Sequence, residues 1–238
     1  MMILVTGAST GLGLATADAL ARAGHRVVLH ARRPDRLADG EVAERMHALL
    51  FADLADASAV LRLAGEANDL GRFDAVIHNA GVIDGPVTAV NVVAPYLLMA
   101  TLTPPGRSIV LSSGMHRSGS PDLERAFAGS GDYSTSKLLV TALALWLAAR
   151  TPTLSHAVDP GWVPTRMGGR GAPDSLEEGH TTQEWLATAD ASEIDPVTGG
   201  YWYHRQPRAP HPAAADPRFQ ARLVDRLAQA TGVPLAPG

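Results

Sequence analysis

MILVTGASTGLG (residues 2–13) sets five apolar or β-branched residues directly before a cluster of three glycines. MILVT (2–6) reads as a short buried strand. LGLATADALARAG (12–24) reads as the helix behind it, with Gly24 as its stop. Gly7, Gly11 and Gly13 stand between them in G-x-x-x-G-x-G spacing. Glycine at such a turn lets backbone come close to a phosphate, and the free N–H groups at the helix start attract the anion. A plain strand–helix turn could use the same residues. The place favours the anion, because a dinucleotide site sits at the first strand–helix junction of a doubly wound sheet.

The rest of the chain repeats the pattern. RVVLH (26–30), ALLFA (48–52), DAVIH (74–78), RSIVLS (107–112), TLSHAV (153–158) and GYWYH (200–204) read as further strands. Helical patterns fall near 56–69, 88–102 and 134–150. A last helix over 216–231 has Asp216 as cap, Pro217 in its first turn and Phe219, Leu223 and Leu227 on one face. Continuous apolar strands alternating with helices predict a parallel sheet covered on both faces. No linker divides the chain, so residues 1–238 read as one domain. Residues 160–198, rich in Gly, Pro and Asp, read as a flap with a short helix.

Composition excludes several functions. Hydrophobic residues make up 46% and charged residues 18%, which is globular rather than disordered. The net charge is −4 and no basic run exceeds two residues, which argues against nucleic acid as a partner. There is no cysteine, which fits a reducing, cytoplasmic setting. No apolar stretch reaches the ~18 residues of a membrane span. His180, His204 and His211 lack metal-like spacing with carboxylates, so no metal is expected.

The end of the second strand bears on cofactor choice. An acid there would hold a ribose 2′-hydroxyl, but LHARR (29–33) has none. Arg32 offers a guanidinium fork for a 2′-phosphate, which predicts NADP(H) over NAD(H). Arg33 could equally be a solvated surface charge.

YSTSK (133–137) ends on the only lysine beside nineteen arginines. Tyr133 and Lys137 are one helical turn apart and share a face. A phenol titrates near 10, and a neighbouring ammonium is expected to lower that value. Tyr133 could then give a proton to a carbonyl oxygen or take one from an alcohol. A lysine can also pass protons, which an arginine does not.

With these residues assembled, the chain resembles the short-chain dehydrogenase/reductase family. The likeness rests on TGASTGLG (6–13), DL (53–54), NAG (79–81), Asn91, SS (112–113), YSTSK (133–137) and DPGWVPT (159–165), in family order. PGWVPTRMGG with the later YWYHR is similar to the retinol-dehydrogenase and carbonyl-reductase branch. The resemblance implies a Rossmann-like α/β fold, doubly wound, with a mainly seven-stranded parallel sheet. It implies that Gly7, Ser9, Thr10, Gly11, Leu12 and Gly13 hold the pyrophosphate and adenosine. Asp53 and Leu54 would border the adenine, and Asn79, Ala80 and Gly81 the ribose. Pro160, Gly161, Val163 and Thr165 would face the nicotinamide. Tyr133 would be the acid/base, Lys137 its partner and a ribose donor, and Asn91 the anchor of a relay water. Ser113 would bond the reacting oxygen, while Ser112, on the opposite strand face, packs.

Asn79 and Asn91 are only twelve residues apart, so the segment before the fourth helix is trimmed where the family often builds its dimer. A homo-oligomer is left open. The stretch 116–132 reads as a loop at the pocket mouth. His116 reads as bonded to backbone or touching substrate, and Trp162 as pocket wall or core. Tyr201, Trp202 and Tyr203 read as core, and Asp122, Glu124 and Arg125 as a solvated loop face. The expected activity is NADP(H)-dependent exchange of hydride with a small carbonyl or alcohol. The alternatives are a cofactor-binding sensor or scaffold without turnover, and an epimerase or dehydratase on the same fold.

Overall fold

The apolar runs line up edge to edge. The computed structural model describes residues 1–37, 40–129 and 131–237. Its strands are β1 (Met2–Val5), β2 (Arg26–Ala31), β3 (Ala48–Phe51), β4 (Ala75–His78), β5 (Arg107–Leu111), β6 (Leu154–Asp159), β7 (Tyr201–Tyr203) and β8 (Gln206–Arg208). They form one sheet in the order β3-β2-β1-β4-β5-β6-β7-β8. Seven strands run parallel, as expected. The eighth corrects the expected count: β8 pairs antiparallel with β7. His204 (φ 47°) and Arg205 (φ 58°) make the two-residue turn between them, and positive φ at both centres suits a tight hairpin.

The helices are α1 (Gly11–Arg22), α2 (Gly40–Arg45), α3 (Ala57–Asp69), α4 (Ala94–Thr101), α5 (Leu123–Phe127), α6 (Tyr133–Arg150), α7 (Leu176–Thr188), α8 (Pro212–Ala215) and α9 (Pro217–Thr231). One core packs α3, α4, α6, α8 and α9 on one face of the sheet. A second packs α1 and α7 on the other, where Trp185 meets Trp202 edge-on at 5.2 Å. Every residue of α6 from Thr135 to Leu147 is buried. A helix apolar all round needs cover on both sides. The sheet covers one side of α6, and α8 and α9 the other. Asp216 caps α9 and Pro217 opens it, as the sequence predicts. No helix among the described residues is long and apolar enough to cross a membrane.

The order of the strands places the site. β1 lies between β2 and β4, so chain direction across the sheet reverses there. The carboxyl ends of strands at this switch point form the crevice in which ligands bind in such sheets.

Three histidines buried in strands tie stability to pH. Burial pushes His30, His78 and His156 each down to about 4. In the unfolded chain they titrate near 6.5. Between about 4 and 6.5 the unfolded chain binds protons that the folded chain refuses, so stability rises with pH across that window. Each group contributes up to ~3 kcal/mol, lost as pH falls from about 6.5 to 4. The urea midpoint is expected to fall clearly from pH 7 to pH 5. A flat profile would contradict burial of neutral rings.

Candidate active site

The glycine turn is closely fitted. Gly7 has φ +64°, and a Cβ there would stand 2.6 Å from Ala80 Cα. A Cβ on Gly13 would stand 2.4 Å from Asn79 Nδ2 and 2.6 Å from Gly7 O. Asn79 Nδ2 donates to Thr6 O and Gly7 O at 2.9 and 3.1 Å, and Ala80 N to Thr6 Oγ1 at 3.2 Å. Thr10 precedes α1 without a side-chain cap, and no acid lies in the first turn. Donors at this helix start are therefore left for an anion, and their dipole favours negative charge. The turn thus combines closely fitted backbone with a helix end that no side chain caps. Ser9, Thr10, Gly11 and Leu12 continue that turn into α1.

His30, which sequence reasoning missed, fixes the turn from below. Its Nδ1 accepts from Gly7 N at 3.1 Å, and its Nε2 lies 3.1 Å from Ala52 O. The Gly7 donor requires Nδ1 unprotonated, so Nε2–H donates to Ala52, and the ring is neutral as its depressed pKa demands. A polar residue inside an otherwise apolar strand was the available signal.

The ends of β2 and β3 carry the next residues. Arg33 is held bidentately by Asp35 at 3.0 and 3.1 Å. Arg32 is exposed and has no hydrogen-bond or ion-pair partner among the described residues. Asp53 is exposed and accepts from Ala55 N at 3.0 Å, whereas Leu54 is buried.

Asn91 lies where α4 begins irregularly, in a π-helical turn over Ala89–Val93. Pro95 has no N–H to give the Asn91 carbonyl, so the regular ladder cannot run through this point. The Asn91 side chain is buried. Its Oδ1 accepts from Val82 N at 2.8 Å, and its Nδ2 donates to Val82 O and Ser136 Oγ, both at 2.9 Å.

Asp132 caps α6 through Thr135 N at 2.8 Å, which makes Tyr133 its first residue. One turn on, Lys137 is buried, 4% exposed, and its Nζ donates to Leu111 O at 2.6 Å. Nζ stands 5.5 Å from the Tyr133 ring centre. A Cβ on Gly81 would meet Lys137 Nζ at 3.4 Å and Asn91 Oδ1 at 3.5 Å, so the three converge. Burial pushes Lys137 down to about 8, opposed by the Asp159 carboxylate.

The expected lowering of Tyr133 by Lys137 is corrected. Tyr133 is held above its ordinary value, first by burial, with Asp159 adding to the rise and a hydrogen bond with Ser113 opposing it. Desolvation disfavours the charged phenolate and sets the direction.

Ser112 and Ser113 meet different neighbours. Ser112 is buried, with its Oγ 2.6 Å from Thr141 Oγ1. Ser113 faces Tyr133 and accepts from Met115 N at 3.2 Å. His116 is fully buried and backbone-bonded, with Nδ1 2.7 Å from Ser113 O and Nε2 accepting from His211 N at 2.9 Å.

Residues 160–175 close the site. Thr165 lies over Gly11, 3.3 Å from the place of its Cβ, and buried Val163 packs on Gly179 of α7. Pro160 and Gly161 lead into this turn, and Gly161 N donates to Asp159 Oδ1 at 3.1 Å. Trp162 is 59% exposed and hydrogen-bonds Gly168 O, so it is not core. Tyr201 and Trp202 are core. The predicted loop at 116–132 holds α5, capped by Asp122, with Glu124 and Arg125 exposed on it. Its Ser130 lies outside the described residues. Among the described residues no group of three or more His, Asp or Glu could hold a metal ion.

A sheet with this switch point and a glycine cradle at its carboxyl edge, with Ser113, Tyr133, Lys137 and Asn91 gathered beside it, has the form of a dinucleotide-binding fold. Comparison with known proteins agrees. The family model for short chain dehydrogenase matches residues 1–174. The short-chain dehydrogenase chry4 of Gibberella zeae is 35% identical, across 98% of both chains. Retinol dehydrogenase 13 of Homo sapiens is 26% identical, over 97% of this chain and 84% of its own. An Escherichia coli CFT073 structure titled as a short chain dehydrogenase complexed with NADPH superposes with a TM-score of 0.70. It is 25% identical over 86% of this chain and 96% of that one. The chain belongs to the short-chain dehydrogenase/reductase family and is an NAD(P)-dependent oxidoreductase.

Proposed function

We propose that the chain is an NADP(H)-dependent carbonyl reductase, in reverse an alcohol dehydrogenase, acting on a small molecule. The observation that carries this is the half-buried Tyr133 phenol, hydrogen-bonded to Ser113, one turn from the buried Lys137. A phenol held above its ordinary pKa stays protonated at neutral pH and suits the acid of a reduction. Tyr133 gives its proton to the substrate oxygen, and Ser113 holds that oxygen as charge builds. Lys137 replenishes the proton and reaches toward the ribose beside Gly81. Asn91 fixes the α4 turn that lines the relay.

Bound at the glycine turn, the cofactor supplies the hydride. Gly7, Ser9, Thr10, Gly11, Leu12 and Gly13 would hold its pyrophosphate end, and Asp53 and Leu54 its adenine. Asn79, Ala80 and Gly81 would line the ribose. Pro160, Gly161, Val163 and Thr165 would face the nicotinamide. The chain acts as one domain in a cytoplasmic setting, with residues 160–175 as the moving part and α7 as the base on which they rest. Closure of such a segment can limit product release.

Arg32 is the residue for the 2′-phosphate, supported by its exposure and lack of a partner beside a fully engaged Arg33. Arg32→Asp is expected to weaken NADPH binding ~10–100-fold, the worth of a charge-assisted contact, with NADH nearly unchanged. Tryptophan fluorescence titrations with both cofactors check this. Equal losses would remove Arg32 from the 2′-phosphate.

A further inference from the structure

The site holds a carboxylate without a role in the scheme above. Asp159 ends β6, where Val158 pairs with Leu111, the residue whose carbonyl takes the Lys137 ammonium. Ser112 N donates to Val158 O at 2.7 Å. Asp159 therefore lies beside the last residues of β5, opposite the strand edge that Lys137 touches. Its Oδ2 comes within 3.0 Å of the place of a Cβ on Gly114, next to Ser113. Two donors fix it: Gly161 N on Oδ1 at 3.1 Å and the Tyr201 hydroxyl on Oδ2 at 3.2 Å. Tyr201 is itself buried, with the His116 ring 4.5 Å away and the Arg117 guanidinium 5.7 Å from its ring centre.

We propose that Asp159 is a positioning residue, clamped by Tyr201 and Gly161, whose negative charge keeps the buried Lys137 protonated beside Tyr133 during turnover. This rests on the catalytic reading of Tyr133 and Lys137 given above. The case is one of charge balance. Lys137 has lost nearly all contact with water, and among the described residues its one hydrogen-bond acceptor is a neutral carbonyl. A buried ammonium with no counter-charge gives up its proton.

The groups facing the pair can be named. Tyr133 comes from α6 itself. Asp159 comes from β6, Tyr201 and Tyr203 from β7, and His116 and Arg117 from the turn after β5. His116 is neutral at working pH, because burial lowers its pKa. Burial, with Asp159 beside it, raises Tyr201, which keeps that hydroxyl a donor. The Asp159 charge favours the protonated form of Lys137, and the same charge raises Tyr133. Asp159 therefore holds protons on both catalytic groups.

The lone lysine makes the test direct. Protein grown on lysine labelled with ¹³C at Cε gives one side-chain signal, titrated here without substrate. The midpoint is expected near pH 8 in the unaltered chain, and about one pH unit lower in Asp159→Asn. Asp159→Glu should restore it. Asp159→Ser removes the same charge and serves should the Asn variant not fold. In carbonyl reduction the alkaline limb of kcat/KM should move down with the midpoint, which loss of a purely structural contact would not produce. An unchanged Lys137 midpoint in a folded charge-removing variant overturns the proposal even if carbonyls turn over. A shifted midpoint in a protein that reduces no carbonyl upholds the charge-holding role and overturns the oxidoreductase reading instead.

Discussion

Tyr133→Phe is expected to lower kcat for carbonyl reduction by ~10³-fold, within the range for loss of a positioned acid. Shape is kept, because phenylalanine fills the same space at the start of α6. The hydroxyl lost has Ser113 as its hydrogen-bond partner, and Ser113 still receives Met115 N. The glycine cradle is untouched, so the NADPH dissociation constant should change by less than about threefold, and thermal stability by little. Steady-state rates beside a fluorescence titration separate the two. A rate within a few-fold of the unaltered protein would remove Tyr133 from the chemistry.

Lys137→Arg comes next in size. Lysine and arginine carry the same charge, so a surface role would tolerate the change. Here the ammonium is buried on Leu111 O, with the place of a Gly81 Cβ only 3.4 Å away. A guanidinium is bulkier, and overfilling such a site costs ~1–3 kcal/mol. It also does not deprotonate, whereas Lys137 is poised near 8 and can hand a proton on. The rate is expected to fall ~10²-fold or more, with a lower urea midpoint. Full activity would show that a fixed positive charge is all the site requires.

What the sequence disclosed follows from how local each signal is. The glycine turn, the i,i+4 pair of Tyr133 and Lys137, and the cap of α9 lie within a few residues of themselves. The helical pattern near 134–150 is local in the same way. β8 did not show, because QPR is exposed and has no alternation, and its turn uses His204 and Arg205 rather than glycine. α7 was readable only in part. Ser175 and Glu178 form a capping box, an S-x-x-E signal lying inside a stretch that reads as flap. His30 and Asp159 depend on partners 23 and 42 residues away, which periodicity cannot join. The raised Tyr133 pKa belongs to the same class: desolvation is a property of the packed site, not of the YSTSK spacing.

The most direct test of the account follows a panel of small ketones and aldehydes with NADPH carrying deuterium at the transferable position. NADPH absorbance gives the rate, and mass spectrometry of the alcohol the site of the label. The account predicts NADPH consumption with deuterium on the carbinol carbon, and loss of nearly all of it in Tyr133→Phe. NADPH that binds while no carbonyl is consumed, or equal consumption by both proteins, would contradict it.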